Sequence, residues 1–228
     1  MKIAEIFHSI QGEGKLMGVP SVFIRTSGCN LRCTWCDTPY TSWAPEGDEA
    51  SVDEVVTQTS QFNCHHVVLT GGEPLIAPGI EELTHQLGQA GFHLTIETAG
   101  TVWRDVHCDL MSISPKLANS TPLQREGGRF AEAHERMRIR VDVIRQLMLA
   151  RDHQLKFVID SPVDLGEVDL LLSRLAVSDQ SNVLLMPQGV SVDELESKEE
   201  WLVNVCKERG FRYCPRLHIM LFGNRRGT

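Results

Sequence analysis

The chain has no apolar run of the roughly 18 residues that a membrane-crossing helix needs, so no membrane partner is expected. Its first ten residues, MKIAEIFHSI, lack the basic, apolar and small-residue regions of a secretory leader, and a cytoplasmic location is the expectation. Positive charge is also short: 22 Lys and Arg stand against 30 Asp and Glu, a net charge of −8. Domains built to grip a phosphate backbone are usually basic, so no nucleic-acid partner is expected. A small anionic substrate stays possible, because two or three local cations suffice to hold one. Internal repeats, low-complexity tracts and long linkers are absent too. What is there suits an ordinary globular chain of 228 residues, 42% hydrophobic and 23% charged, read as one domain spanning 1–228.

Seven cysteines form an odd and uneven set, a poor disulfide framework. Cys64, Cys108, Cys206 and Cys214 are scattered and read as small buried hydrophobes. Cys29, Cys33 and Cys36 are crowded into TSGCNLRCTWCDT (26–38), spaced C-x3-C-x2-C, with no fourth cysteine beside them. In a reducing compartment such clusters more often bind metal or do catalysis.

Short β-branched runs alternate with helical patterns. The expected strands are 21–26, 66–70, 93–98, 110–114, 155–160 and 182–186, with 216–221 as a closing or edge strand. The expected helices are 51–62, 78–91, 135–150, 161–176 and 191–210. Ser51 with Glu54, and Ser191 with Glu194, have capping-box spacing, and Gly91 and Gly210 stand at helix ends. This alternation calls for an α/β fold with a mostly parallel sheet. About six βα units are too few for a full eight-fold barrel, so an incomplete, TIM-like (β/α) barrel is expected, with a doubly wound sheet as the alternative. Two long loops break the pattern, 28–50 with the cysteines and 115–134, and long loops in compact domains tend to be functional.

Polar and glycine-rich residues collect just after the strands: the cysteine loop, Gly71-Gly72-Glu73-Pro74, Glu97-Thr98, Ser114-Pro115-Lys116 and Pro187-Gln188-Gly189. The carboxyl ends of parallel strands are where such sheets carry their active sites. Zinc would want four thiolate or imidazole ligands, and an iron–sulfur cluster also normally takes four. Cys64, His65 and His66 precede a strand, across the sheet from the cysteine loop. A cubane held by three cysteines leaves one iron open to an outside ligand. Both metals stay open on spacing alone.

The three-cysteine loop followed by a second-strand GGEP resembles the radical S-adenosylmethionine (SAM) superfamily. The resemblance implies a [4Fe–4S] cluster on Cys29, Cys33 and Cys36, with SAM chelating the open iron and cleaved to a 5′-deoxyadenosyl radical. FHSIQGEG (7–14), FIRTSGCNLRCTWCDT (23–38), TGGEP (70–74), ETAGT (97–101), SPKLANSTP (114–122) and QLKFV (154–158) are similar, more narrowly, to the 7-carboxy-7-deazaguanine synthase family. That family contracts the ring of 6-carboxy-5,6,7,8-tetrahydropterin and expels ammonia, in queuosine biosynthesis.

Carried onto this sequence, the resemblance implies SAM contacts at Trp35, Cys36, Asp37, Gly71, Gly72, Glu73, Ser114, Pro115 and Lys116, and along Gln154, Leu155, Lys156 and Phe157. Glu73 would accept from the SAM ammonium. It implies a Mg²⁺ ion on Thr38, which by its residue type alone is a loop hydroxyl, and substrate contacts at Ile10, Gln11, Gly12, Arg25 and Thr70. Arg25 suits a carboxylate bidentately and Gln11 offers both donor and acceptor. The plainer alternatives are a β-turn for GGEP, a packed Trp35, a surface ion pair for Arg25 and a solvated Lys116. A homodimer and an electron donor such as flavodoxin or ferredoxin belong to the same implication. Glu13 reads as a turn residue, and His218 with the last residues carries no assignment. Two other readings fit fewer motifs: a glycyl-radical-enzyme activase, which shares the cysteine spacing, and a zinc-stabilised binding module.

Overall fold

The computed structural model describes all residues, 1–228. Nine strands form one sheet: β1 (Lys2–Ile10), β2 (Pro20–Thr26), β3 (Asp48–Glu49), β4 (His66–Gly71), β5 (His93–Thr98), β6 (Leu110–Ile113), β7 (His153–Ile159), β8 (Val183–Pro187) and β9 (Arg212–Tyr213). The spatial order is β3-β1-β2-β4-β5-β6-β7-β8-β9. From β2 to β9 every neighbour pair is parallel, while β1 runs antiparallel to both β2 and β3.

This order excludes a doubly wound sheet. Strands succeed one another in a single direction from β2 to β9, with no reversal, and right-handed crossovers then stack all helices on one face. The two ends of the sheet do not pair, so the barrel stays open.

Eight helices accompany the strands: α1 (Pro39–Ser42), α2 (Val52–Ser60), α3 (Ile80–Gln89), α4 (Ala131–Met137), α5 (Val141–Ala150), α6 (Asp164–Leu175), α7 (Val192–Arg209) and α8 (Leu217–Phe222). Both expected capping boxes form, at Ser51–Glu54 and Ser191–Glu194, and Gly210 ends α7 with φ +69°. Alternate strand residues divide the sheet. Ile24, Leu69, Ile96, Ile113, Phe157 and Leu185 are fully buried in a core that includes Val55, Leu83, Ile144, Val168 and Leu202 from the helices. The intervening residues, among them Phe23, Arg25, Thr70, Glu97, Ser114, Lys156 and Met186, face the other way and line a cavity. Strand pleating thus makes one face a core and the other a site.

The structure adds the short α1, β3 and β9 to the expected elements and departs from expectation most at β1, at 135–150 and at 216–221. β1 was not among the expected strands; Lys2, Glu5 and His8 dilute its apolar pattern, and a bulge between Ile3 and Glu5 breaks its alternation. The expected helix 135–150 is two, because Arg140 leaves helical geometry and Arg138 turns to Glu135, Glu167 and the Lys116 carbonyl. Residues 216–221, expected as a strand, form α8. The place beside β8 is already taken by Arg212–Tyr213, and only Ile219 of the helix is buried.

Candidate active site

The cavity encloses about 410 Å³ at the carboxyl ends of the parallel strands, a volume typical of small-molecule sites. Cys29, Cys33 and Cys36 all border it. Their loop leaves β2 at Gly28 (φ +112°) and is clasped by the strand end of the neighbouring β4. There the Glu73 N–H donates to the Gly28 carbonyl at 2.9 Å, and Gly72 N–H donates to Thr26 at 3.2 Å. A Cβ on Gly72 would fall 2.0 Å from the Gly28 oxygen and 2.9 Å from Cys29 Cβ. The glycine pair is therefore required for one backbone to press against another, as well as bordering the cavity.

The two long loops grip each other over this site. The Thr34 N–H donates to the Ser120 carbonyl at 2.7 Å, Trp35 Nε1 to the Asn119 carbonyl at 2.9 Å and the Arg32 N–H to His134 Nδ1 at 3.2 Å. His134 Nε2 lies 2.9 Å from Ser120 Oγ, which in turn donates to the Leu117 carbonyl. Burial pushes the His134 imidazole down to about 4, so it is neutral and can accept at Nδ1. Trp35 packs against two small apolar clusters, Leu31–Cys33–Ala99 and Val158–Leu184–Met186–Cys214.

Burial raises the Cys29 and Cys33 thiols to about 12, which keeps both protonated in the metal-free protein. No group of three or more His, Cys, Asp or Glu side chains could hold a single metal ion, as the zinc reading would require. Cys29, Cys33 and Cys36 border one cavity, and a cubane held by three cysteines leaves one iron open to an outside ligand there.

Ile10, Gln11, Gly12, Arg25 and Thr70 all line the cavity. Gln11 Nε2 donates to Glu97 at 3.2 Å and Thr70 Oγ1 to the other Glu97 oxygen at 2.9 Å. Arg25 donates through Nε to Glu5 at 2.7 Å. Its terminal nitrogens carry no protein hydrogen bond. Phe7 and Phe23 stack at 5.1 Å between ring centroids, and Phe7 lies under the Arg25 guanidinium.

Residues 23–170 match the radical SAM superfamily. Over 227 residues the chain is 49% identical to the 7-carboxy-7-deazaguanine synthase of Rhodopirellula baltica, covering 99% of this chain and 88% of that protein. It is 42% identical to the enzyme of that name from Halobacterium salinarum, covering 98% and 91%. The chain belongs to the 7-carboxy-7-deazaguanine synthase family. The crystal structure of QueE from Escherichia coli superposes with a TM-score of 0.68 at 27% identity, over 95% of this chain and 94% of that one. SuiB of Streptococcus suis bound to precursor peptide SuiA, at 11% identity and a TM-score of 0.56 over 84% of this chain and 47% of that one, shares the fold.

Membership of the radical SAM superfamily implies a [4Fe–4S] cluster and SAM, and the residues fit them. Trp35, Cys36, Asp37, Thr38, Gly71, Gly72, Ser114, Lys116 and Lys156 all line the cavity. Lys116 Nζ donates to both the carbonyl and the hydroxyl of Ser114 at 2.8 Å.

Five expected SAM contacts do not line it. Pro115 is buried without bordering the cavity. Leu155 and Phe157 point into the helix-side core, because strand pleating gives the cavity only every second residue of β7. Gln154 has the correct face but lies low in the barrel, where it donates to Ser112 and accepts from the Lys15 N–H. Glu73 is wholly buried and straps β4 to β5, accepting from Thr98 Oγ1 at 2.8 Å, Ala99 N–H at 2.9 Å and Leu75 N–H at 3.1 Å. Burial raises its carboxyl, although these donors oppose the shift.

The cavity also gathers Glu13 and Arg216, neither of them an expected site residue. Glu13 pairs with Lys156 and, at 3.1 Å, with Arg216; Arg216 also pairs with Asp37, and Lys156 stands 3.9 Å from Glu97. Burial would raise the Glu13 carboxyl, but Lys156, Arg216 and His218 outweigh it and hold it well below the usual carboxylate range. The Leu217 N–H donates to the Gly12 carbonyl at 2.9 Å, and a Cβ on Gly12 would strike His218 at 2.1 Å. The glycines of QGEG hinted at such a close approach; Arg216 carried no local signal at all.

Proposed function

We propose that this cavity binds 6-carboxy-5,6,7,8-tetrahydropterin and that the chain converts it to 7-carboxy-7-deazaguanine with release of ammonia, in queuosine biosynthesis. The observation that carries this reading is the sharing of one cavity by the three-cysteine loop and the Arg25–Gln11–Glu97 set. The free terminal nitrogens of Arg25 suit a substrate carboxylate, and a guanidinium fork pairs with a carboxylate bidentately. The Glu97 carboxylate, oriented by Gln11 and Thr70, suits the amino and N–H edge of a pterin. The stacked Phe7 and Phe23 offer an apolar wall for its ring.

Cys29, Cys33 and Cys36 would hold the cluster, which together with SAM supplies the radical that abstracts hydrogen from substrate. Around it this chain's residues position and exclude. Gly71 and Gly72 admit close approach, Trp35 covers the cluster loop, and Lys116 and Ser114 present polar groups to the cavity. The Glu13–Lys156–Arg216–Asp37 cluster keeps four charges in fixed places beside the substrate set and holds the C-terminal segment against the loop that bears Gln11. Thr38 is proposed as a Mg²⁺ ligand. Its hydroxyl borders the cavity and has only long contacts, 3.4 Å to Thr41 Oγ1 and 3.9 Å to Cys36 Sγ, which suits an ion that keeps most of its waters.

The test is anaerobic reconstitution with iron and sulfide, followed by incubation with SAM, dithionite and the pterin. 7-Carboxy-7-deazaguanine and ammonia should appear in equal amounts by mass spectrometry and an ammonia assay. Release of 5′-deoxyadenosine without any pterin-derived product would overturn the reading.

A further inference from the structure

The Cys33 end of the cluster loop reaches the surface through aromatic rings capped by arginines. Trp43 Nε1 donates to the Cys33 carbonyl at 3.0 Å. The Arg125 guanidinium lies 3.9 Å from the centroid of the Trp43 ring and donates to the Thr34 carbonyl at 3.0 Å. Phe130 meets Trp43 edge-on at 5.6 Å, and Arg32 and Arg129 lie over Phe130 at 5.4 and 4.5 Å. Of these three arginines only Arg129 has a carboxylate within salt-bridge range, Glu126 at 2.6 Å. In a chain of net charge −8 this is a local excess of cations, and their contacts to rings and carbonyls hold them in place.

We infer that this arginine–aromatic face is the docking surface for a small acidic one-electron carrier protein. The inference rests on the reading of Cys29, Cys33 and Cys36 as holders of a redox-active cluster. The remaining thiols are scattered, so the electron has to come from outside the chain. One carrier cofactor is oxidised by one electron and the bound cluster is reduced by one. At this face a single side chain and one hydrogen bond separate the surface from a cluster ligand. A negative carrier would be steered by the arginines and oriented by the rings. The chain's overall negative charge would repel it elsewhere.

The test uses the anaerobically reconstituted full chain and flavodoxin as the probe. Arg125→Glu and Arg129→Glu are compared with Arg174→Glu, at the end of α6 and so at the opposite, amino edge of the sheet. Each of the first two should weaken flavodoxin binding about tenfold at low salt and remove most of its salt dependence. Arg174→Glu should leave it unchanged, and turnover driven by dithionite should stay within about twofold of the parent in all three. If Arg125→Glu loses cluster, Arg129→Glu decides alone, since its guanidinium touches no backbone of the cysteine loop. Unchanged flavodoxin affinity with intact dithionite-driven turnover overturns this inference and spares the functional reading. A change of oligomeric state in the reversed variants also overturns it, by assigning the face to a second copy. Absence of dithionite-driven turnover in the parent overturns both.

Discussion

Glu13, in the first loop, lies 3.1 Å from Arg216 Nε, 203 positions later in the chain. Lys156 shares the same carboxylate from β7. Lys156 and Arg216 are buried and Glu13 is mostly so, and their charges are matched mainly by one another. Removing one member of such a set costs more than the pair is worth, because the others stay buried and uncompensated.

Glu13→Gln should therefore destabilise the protein by about 3–5 kcal/mol at neutral pH, read by urea unfolding. The variant should also lose pH dependence. The folded carboxyl is held below its ordinary value of 4.5, so its stabilisation is complete above that value and drains away as pH falls towards the lower, folded one. Parent and variant stabilities should converge on acidification. Parallel curves would remove Glu13 from the charge cluster's energetics.

Cys33→Ala should abolish cluster retention. Iron and sulfide content and the broad absorbance near about 400 nm after anaerobic reconstitution report it directly. A variant that keeps its full iron complement would contradict the ligand assignment. Because Cys33 is a small buried side chain beside Leu31 and Ala99, the loss should be of cluster and not of fold.

Gly72→Ala puts a methyl group 2.0 Å from the Gly28 carbonyl oxygen, a contact that backbone on both sides must relieve. The cost should fall on the cysteine loop, because Glu73 keeps β4 and β5 strapped together. We expect cluster incorporation to fall at least about tenfold while far-UV circular dichroism stays near that of the parent. Normal loading would show that the loop tolerates a wider clasp than the geometry allows.

Thr38→Ala should slow turnover more than it weakens SAM binding measured by equilibrium dialysis, and added Mg²⁺ should lose its effect on rate. An equal loss of both would instead indicate collapse of the loop, since Thr38 also stands at the start of α1 and accepts from Thr41.

Much of this was legible in order of residues alone. Spacing within short windows carried the three cysteines and the glycine pair, and alternation of apolar residues carried the parallel strands. Both are properties of neighbours in sequence, where geometry follows from strand pleat and helix turn. The polar residues at strand ends could be placed on one face because parallel strands all point the same way.

Other features came from distant encounters. Glu73 looks like a ligand group in GGEP, yet Thr98 and Ala99 of the next strand occupy its oxygens. Leu155 and Phe157 adjoin Lys156 in sequence but face the opposite side of β7, a division set by which face the helices cover. His134 became the pin between two loops by meeting Arg32 and Ser120 across 102 and 14 positions.

The amino-acid order by itself determined the barrel's parallel units, the capped helices and the thiol triad with its glycine clasp, since each rests on local spacing. The tertiary structure alone decided that the barrel stays open, that 216–221 coils as a helix, and that Glu13, Lys156 and Arg216 form a largely buried charge cluster with Asp37 at its exposed edge. Such outcomes depend on which distant groups compete for the same buried place, and burial makes an unpaired charge too costly to leave alone.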